Sequence, residues 1–177
     1  MINDLKEFKN IDLLIDPEKN VVIFPRSKSK FPFISADGSV KESAYLTAYY
    51  PIELKYPYST EQLAEKIKYG IEQWNRHECY KDIFKTGTFE EKYYNKKGFK
   101  NAVKGVSYIS LGWDDYQGKY VDFFLPLKRG YAYMGLDSVK LPDDAGWTDF
   151  AEAVIKYINM DVTKLDSFKT YKSRLNL

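Results

Sequence analysis

The sequence has almost none of the side chains that build disulfides and metal sites: it contains one cysteine, Cys79, and one histidine, His77. A single cysteine excludes an intramolecular disulfide and fits a reducing compartment. Zinc sites usually take three or four ligands, so the pair in "RHECY" is too small for a zinc finger or a deaminase centre. His77 and Cys79 are two residues apart, and on a helix such side chains point in different directions. We interpret His77 as a residue at a helix end. We therefore predict no metal and no cofactor.

Long apolar runs and enzyme signatures are also missing. No segment approaches the roughly 20 apolar residues that cross a bilayer, and the N-terminal "MINDLKEFKN" lacks the apolar core of a signal peptide. The phosphate-binding loop G-x-x-x-x-G-K-[ST], the dinucleotide motif G-x-G-x-x-G and the hydrolase motif G-x-S-x-G do not occur. These absences predict a cytoplasmic protein that makes no membrane contact and is not an enzyme.

The chain is rich in aromatic residues, which make up 17% of its 177 residues and include sixteen tyrosines. With 44% apolar residues, this composition is typical of a globular domain that carries tyrosines on its surface. The length predicts a single α+β domain over 1–177. We place its core at about 20–160 and interpret 161–177 as a C-terminal tail.

Two helix starts carry reciprocal capping boxes, in which residues three apart satisfy each other's backbone N–H groups. Ser59 and Gln62 open a helix with an apolar stripe at Leu63, Ile67, Ile71 and Trp74. Thr88 and Glu91 open a second, shorter helix that Gly98 interrupts. A last helix after "LPDDAGW" carries an apolar face that includes Phe150 and Val154.

The strands are predicted from alternating apolar residues. "NVVIFP" is a first strand that Pro25 ends. "VSYISLGW" and "KYVDFFLPL" form an antiparallel hairpin joined by "DDYQG", and "YAYMG" adds a third strand. We predict an antiparallel sheet with a C-terminal meander packed against helices. Strands and helices that do not alternate regularly indicate the α+β class.

Charge is polarised along the chain although the net charge is only +2. Residues 107–166 contain ten acidic and six basic side chains, a net of −4, whereas 80–105 carry a net of +4. Two aspartate pairs, Asp114/Asp115 and Asp143/Asp144, lie in predicted turns. Such pairs can act in acid–base catalysis, but aspartate is also favoured in turns because it bonds the local backbone. Both interpretations stay open, and loss of turnover rather than of stability on substitution would separate them.

A basic segment favours a second function, binding of single-stranded nucleic acid. Five lysines, Lys92, Lys96, Lys97, Lys100 and Lys104, adjoin Tyr93 and Tyr94, and single-strand binders combine cations with rings that stack on bases. Arginine, which binds phosphate and base better, is nearly missing there, and the following hairpin lacks an RNA-binding signature. We keep this segment as the alternative to a protein-binding function.

The run Tyr-Tyr-x-Lys-x-Gly-Phe-Lys at Tyr93–Lys100, the strand Ile109–Leu111 and the helix after Leu141-Pro142 resemble the CdiI-type immunity proteins of bacterial contact-dependent growth inhibition. The likeness runs from about Tyr58 to Met160. It implies a small cytoplasmic protein that binds one cognate toxin domain, often a nuclease, and occludes its active site. The motifs are framework motifs, and the family transfers no binding residues to this chain.

The contact surface is predicted from charge and periodicity instead. Acidic inhibitors meet basic nuclease surfaces, and charge complementarity speeds such encounters. Tyrosine adds contact area with few rotors to order. The partner-binding residues predicted on the outward side of the hairpin and its turns are Asp114, Asp115, Tyr116, Tyr120, Asp122, Asp143 and Asp144.

Overall fold

A computed structural model describes residues 9–28, 33–34, 40–41, 45–77, 87–115, 117–127 and 132–175. The strands are β1 (Lys9–Ile15), β2 (Val21–Lys28), β3 (Phe33–Ile34), β4 (Val40–Lys41), β5 (Tyr45–Thr47), β6 (Ile52–Leu54), β7 (Ser107–Asp114), β8 (Gly118–Pro126) and β9 (Tyr133–Leu141). The α-helices are α1 (Thr60–Glu72), α2 (Phe89–Tyr93), α3 (Phe99–Ala102), α4 (Trp147–Ile158) and α5 (Asp166–Leu175). A 3₁₀ turn spans Val162–Lys164.

Seven of these strands form one antiparallel sheet in the order β5-β2-β1-β7-β8-β9, with β6 also paired to β2. The central neighbours β1 and β7 are far apart in sequence, with Leu13 opposite Ile109. The predicted hairpin and the strand after it form the meander β7-β8-β9. Together with the helices, this confirms a single-domain α+β fold.

Alternation along the strands gives the sheet two different faces. On the first face, β1, β7 and β8 contribute Ile11, Leu13, Ile109, Leu111 and Val121, all fully buried under α1 and α4. On the second face, Leu14, Val22 and Phe24 pack with Phe99 and with rings of α2. The second face is only partly apolar, and its polar positions build a buried hydrogen-bond network and part of a pocket described below.

The predicted helix starts are confirmed because their signals are local. The Gln62 N–H donates to Ser59 Oγ at 3.2 Å, and the Ser59 N–H donates to Gln62 Oε1 at 2.8 Å. Thr88 and Glu91 exchange the same two bonds at the start of α2. Glu91 also accepts the Gly98 N–H at 2.6 Å, which ties α2 to the start of α3. The helix is interrupted between Tyr93 and Phe99, so Lys92 and Lys100 lie on separate helices.

The predicted core limits of about 20–160 are too short at both ends. Strand β1 was not predicted, although Ile11, Leu13 and Ile15 alternate as a half-buried strand should. Pro25 does not end its strand, because β2 continues to Lys28. In the predicted tail, the Tyr171 ring is buried against the core and its hydroxyl donates to the Pro126 carbonyl at 2.9 Å. Across the described ranges, every helix is too short or too polar to traverse a lipid bilayer.

Candidate functional site

The tip of the β7–β8 hairpin and the turn after β9 enclose a cleft of about 810 Å³. Its lining includes Asp114 and Asp115 from the hairpin and Asp143 from the turn, three of the predicted partner-binding residues. We call it the acidic cleft. These residues meet because of the strand register. Strand β8 pairs with β9 from Lys119↔Leu141 onward, which brings the turn after β9 next to the hairpin tip.

Aromatic rings form the floor of the acidic cleft. The Trp113 and Trp147 rings lie 6.1 Å apart between centroids, and the Phe150 ring lies 6.1 Å from that of Trp147. Both tryptophans are half-buried. Half-exposed tryptophan beside charged groups is typical of protein interfaces, where a large ring anchors the contact and charges orient it.

The carboxylates of this cleft differ in their hydrogen bonding and exposure. Asp114 holds the hairpin turn, since its Oδ1 accepts the Gln117 N–H at 2.6 Å. This bond fits the turn-forming interpretation for that residue. Asp115 and Asp143 are exposed. Of the two cleft lysines, Lys119 donates from Nζ to the Ala145 carbonyl at 2.5 Å, so its ammonium is directed into the backbone of the turn.

The remaining predicted residues do not join the acidic cleft. Asp144 is exposed in the same turn but does not line the cleft. Asp122 lies farther along β8, where its Oδ1 accepts the Ser138 hydroxyl at 2.5 Å. The prediction for Tyr120 is corrected: its ring is buried, and burial raises its pKa to about 12, so it offers no exposed contact area. Tyr116 lies outside the described residues.

The basic segment uses its rings for packing. Tyr93 donates its hydroxyl to Glu53 at 2.7 Å, and its ring meets Phe24 and Tyr94 edge-on. Lys92 lies 4.2 Å over the Tyr49 ring. A single-strand platform needs ring faces open to bases. Tyr93 and Tyr94 are half-buried and their rings pack against the core of the second face, while the lysines of the segment are exposed.

A buried polar network that was not predicted occupies the second face of the sheet. Asp12, fully buried in β1, accepts Arg26 Nε at 2.8 Å, the Thr47 hydroxyl at 2.7 Å and the Tyr108 hydroxyl at 2.5 Å. Arg26 Nη2 also donates to the Tyr108 hydroxyl at 3.0 Å. We call these four residues the Asp12 network. The guanidinium is held charged, because the neighbouring carboxylate raises the pKa of Arg26.

Next to this network lies a second cavity of about 400 Å³, which we call the aromatic pocket. Its lining consists of Arg26, Thr88, Phe89, Glu90, Phe99, Tyr108, Ser110, Asp122, Phe124 and Tyr133. Glu90 is 2% exposed, and its Oε1 accepts the Tyr133 hydroxyl at 2.7 Å. Burial is the main cause that raises the pKa of Glu90. The Tyr133 and Tyr108 rings stack with centroids 4.6 Å apart, which connects the pocket to the Asp12 network.

Sequence reasoning missed the aromatic pocket because its members come from six separate elements. One signal was present in the sequence. Glu91 completes the helix cap, so the second glutamate of that turn, Glu90, has no role in capping. No group of three or more histidine, cysteine or acidic side chains in the described ranges is placed to hold a metal ion. His77 instead stacks on Tyr50 with centroids 3.8 Å apart, and Cys79 lies outside the described residues.

Comparisons with known proteins add information on the fold. No protein-family model matches the sequence, and no curated protein matches it. A solved structure, "Protein of Unknown Function NMB0488 from Neisseria meningitidis", is similar to this chain with a TM-score of 0.54 and 11% sequence identity. The match covers 88% of this chain and 96% of that one. At this identity the likeness shows a shared fold.

Proposed function

We propose that this protein is an immunity protein, which binds a cognate toxin domain in the cytoplasm and blocks it by occlusion. The acidic cleft carries the proposal: three of the carboxylates predicted as partner contacts meet there around two half-buried tryptophans. The resemblance of the Tyr93–Lys100 run and the surrounding framework to CdiI-type immunity proteins supports the same function. Inhibition by occlusion needs binding alone, so this mechanism assigns no catalytic residue and no cofactor.

The charge of the acidic cleft favours a basic partner surface. Asp114, Asp115 and Asp143 line it, whereas the cations among its described lining residues are Lys119 and Lys140. Since the Lys119 ammonium bonds a backbone carbonyl, it is less available to neutralise the rim. Nucleases present basic surfaces to their nucleic-acid substrates, and an acidic patch of this kind speeds encounter with such a surface.

The tryptophans supply the part of the interface that charge cannot. Exposed carboxylates at a rim mainly affect the association rate, whereas buried aromatic anchors mainly slow dissociation. Trp113 comes from β7 and Trp147 from the first turn of α4, so both are held by the sheet and helix scaffold. A rigid aromatic floor loses little conformational entropy when a partner covers it.

Growth rescue tests the proposal. The toxic C-terminal domain encoded directly upstream is expressed with and without this protein, and the two are tested for co-purification. Rescue together with a stable one-to-one complex is the expected result. No rescue and no complex would refute immunity for that pair. Titration of the protein with short single strands at two salt concentrations then tests the nucleic-acid alternative, because phosphate binding weakens steeply with salt.

Charge reversal maps the surface. The double variant Asp115→Lys with Asp143→Lys changes two exposed side chains that have no structural bond among the described contacts. We expect it to weaken the complex by about tenfold at low salt and far less at about 0.5 M salt, where surface charges are screened. The matched control, Glu65→Lys with Glu152→Lys, makes the same change in net charge at exposed positions on α1 and α4. If both doubles weaken the complex equally, the acidic cleft is not the contact surface.

A further inference from the structure

The aromatic pocket is a built cavity with a chemically distinctive wall. Its volume of about 400 Å³ lies within the usual range for small-ligand sites. The rings of the lining are those of Phe89, Phe99, Tyr108, Phe124 and Tyr133. Phe99 and Tyr133 meet edge-on with centroids 5.6 Å apart, and Tyr108 and Phe124 do so at 5.3 Å. The rings hold one another in place, so the wall is formed before any ligand arrives.

The charged groups of the pocket do not balance. Among the described residues, three charged side chains line it: Arg26, Glu90 and Asp122. The Arg26 guanidinium is already paired with Asp12, which is outside the lining and fully buried. Glu90 and Asp122 therefore leave an excess of negative charge, and the pocket favours a cation over an anion.

Glu90 is the group that most needs a cation. It is 2% exposed, and no basic side chain among the described residues lies within ion-pair distance of its carboxylate. Its neutral hydrogen bonds come from the Tyr133 hydroxyl at 2.7 Å, from the Thr88 side chain and from the backbone. A buried carboxylate without a cation is costly, so it either takes up a proton or draws in a positive ligand.

We propose that the aromatic pocket binds a guanidinium group, with Glu90 and Asp122 accepting its N–H groups and the rings stacking on its plane. Guanidinium is planar and weakly hydrated, donates in a fixed fork to carboxylates, and stacks on aromatic faces. An ammonium group is compact and strongly hydrated, and it uses ring faces less well. The same chemistry is offered by an arginine side chain of a partner protein and by a free small guanidine.

This site goes beyond the proposed immunity function, since the aromatic pocket and the acidic cleft share no described lining residue. A toxin that binds at the cleft leaves the guanidinium proposal untouched, and the reverse also holds. The two proposals therefore fail separately.

The test is a titration of the full chain with N-acetyl-arginine amide, monitored by ¹H–¹⁵N correlation spectra. N-acetyl-citrulline amide is the control ligand, because a urea replaces the guanidinium at nearly the same size and shape. The reporters are the backbone amides of Phe99, Ser110, Phe124 and Tyr133. We expect saturable shifts of these amides with the arginine compound and none with the citrulline compound.

Variants assign the binding to the two carboxylates. Glu90→Gln and Asp122→Asn keep the size of each side chain and remove its charge, and each is expected to weaken binding by about tenfold, as for a lost charge-assisted bond. Glu152→Gln, exposed on α4, is the matched control and is expected to bind like the unaltered protein. Asp122 is half-exposed, so its variant answers the question even if the change at buried Glu90 impairs folding.

Propylguanidine, which like the capped arginine carries one positive charge, distinguishes the two sources of guanidinium. Binding of propylguanidine at least about tenfold tighter than the capped arginine supports a free guanidine. Any weaker binding supports a protein side chain. Absence of saturable shifts, equal shifts with the citrulline compound, or unchanged binding in both pocket variants would overturn the proposal.

Discussion

Replacing Asp12 with alanine is expected to be among the most damaging single changes in this protein. Its carboxylate is fully buried and accepts three bonds, from Arg26 at 2.8 Å, Thr47 at 2.7 Å and Tyr108 at 2.5 Å. Removing one partner of a buried ion pair typically costs about 3–5 kcal/mol, because the other charge stays buried and unpaired. The Arg26 side chain is 25% exposed and can regain some water. We therefore expect a loss near the lower end, about 3 kcal/mol of the free energy of unfolding.

The matched change is Thr47→Val, which keeps the side-chain shape and removes one of the three bonds to Asp12. Because the carboxylate keeps Arg26 and Tyr108, we expect a loss of only about 1 kcal/mol. Urea unfolding followed by tryptophan fluorescence measures both variants. With a slope of about 2 kcal/mol per molar urea, the Asp12→Ala midpoint falls by about 1.5 M and the Thr47→Val midpoint by about 0.5 M. Equal losses in the two variants, or a loss under about 1 kcal/mol for Asp12→Ala, would refute the reasoning.

Two further predictions concern the sheet and the aromatic pocket. Gly112→Ala is expected to prevent stable folding, because its new Cβ would lie 2.1 Å from a backbone carbonyl oxygen of β1. The control is Gly135→Ala, whose Cβ meets only ring carbons, the nearest at 3.4 Å. Circular dichroism should show that this control folds normally. A folded Gly112→Ala protein with unchanged stability would contradict this. Burial raises the pKa of Glu90, so its protonated form favours the folded state; that stabilisation is complete below the ordinary glutamate pKa and is lost as pH rises through the raised value. Glu90→Gln should therefore become more stable relative to the unaltered protein as the pH rises above the ordinary glutamate pKa. Urea unfolding at a series of pH values measures this, and a difference independent of pH would refute the assignment.

The elements predicted correctly are those with signals contained in a few consecutive residues. The capping boxes at Ser59 and Thr88 act between residues three apart, so sequence spacing alone specifies them. The β7–β8 hairpin has apolar residues at every second position and a short turn, and the face that carries Ile109, Leu111 and Val121 is buried as predicted. Strand β1 carried the same alternation, but Asp12 interrupted its apolar character. Without knowledge of Arg26 and Tyr108, an aspartate in that position argues against a buried strand.

The acidic cleft was predicted only in part, since its residues were selected from the sequence but their meeting in space was not. Sequence reasoning selected Asp114, Asp115 and Asp143 from charge and periodicity, and their meeting in one cleft depends on the β8–β9 register. Tyr120 was chosen as an outward residue of β8, yet its ring is buried. Periodicity identifies which residues share a face, but it does not say whether that face is covered.

The sequence by itself determined the fold class, the helix starts and the meander, because each depends on contacts between residues close together in the chain. Only the tertiary structure decided the Asp12 network and the aromatic pocket. The Tyr108 hydroxyl reaches an aspartate 96 residues away, and Tyr133 bonds Glu90 across 43 residues. Such pairs form because antiparallel registers bring distant strands together, and they persist because a buried charge is stable only beside its partners.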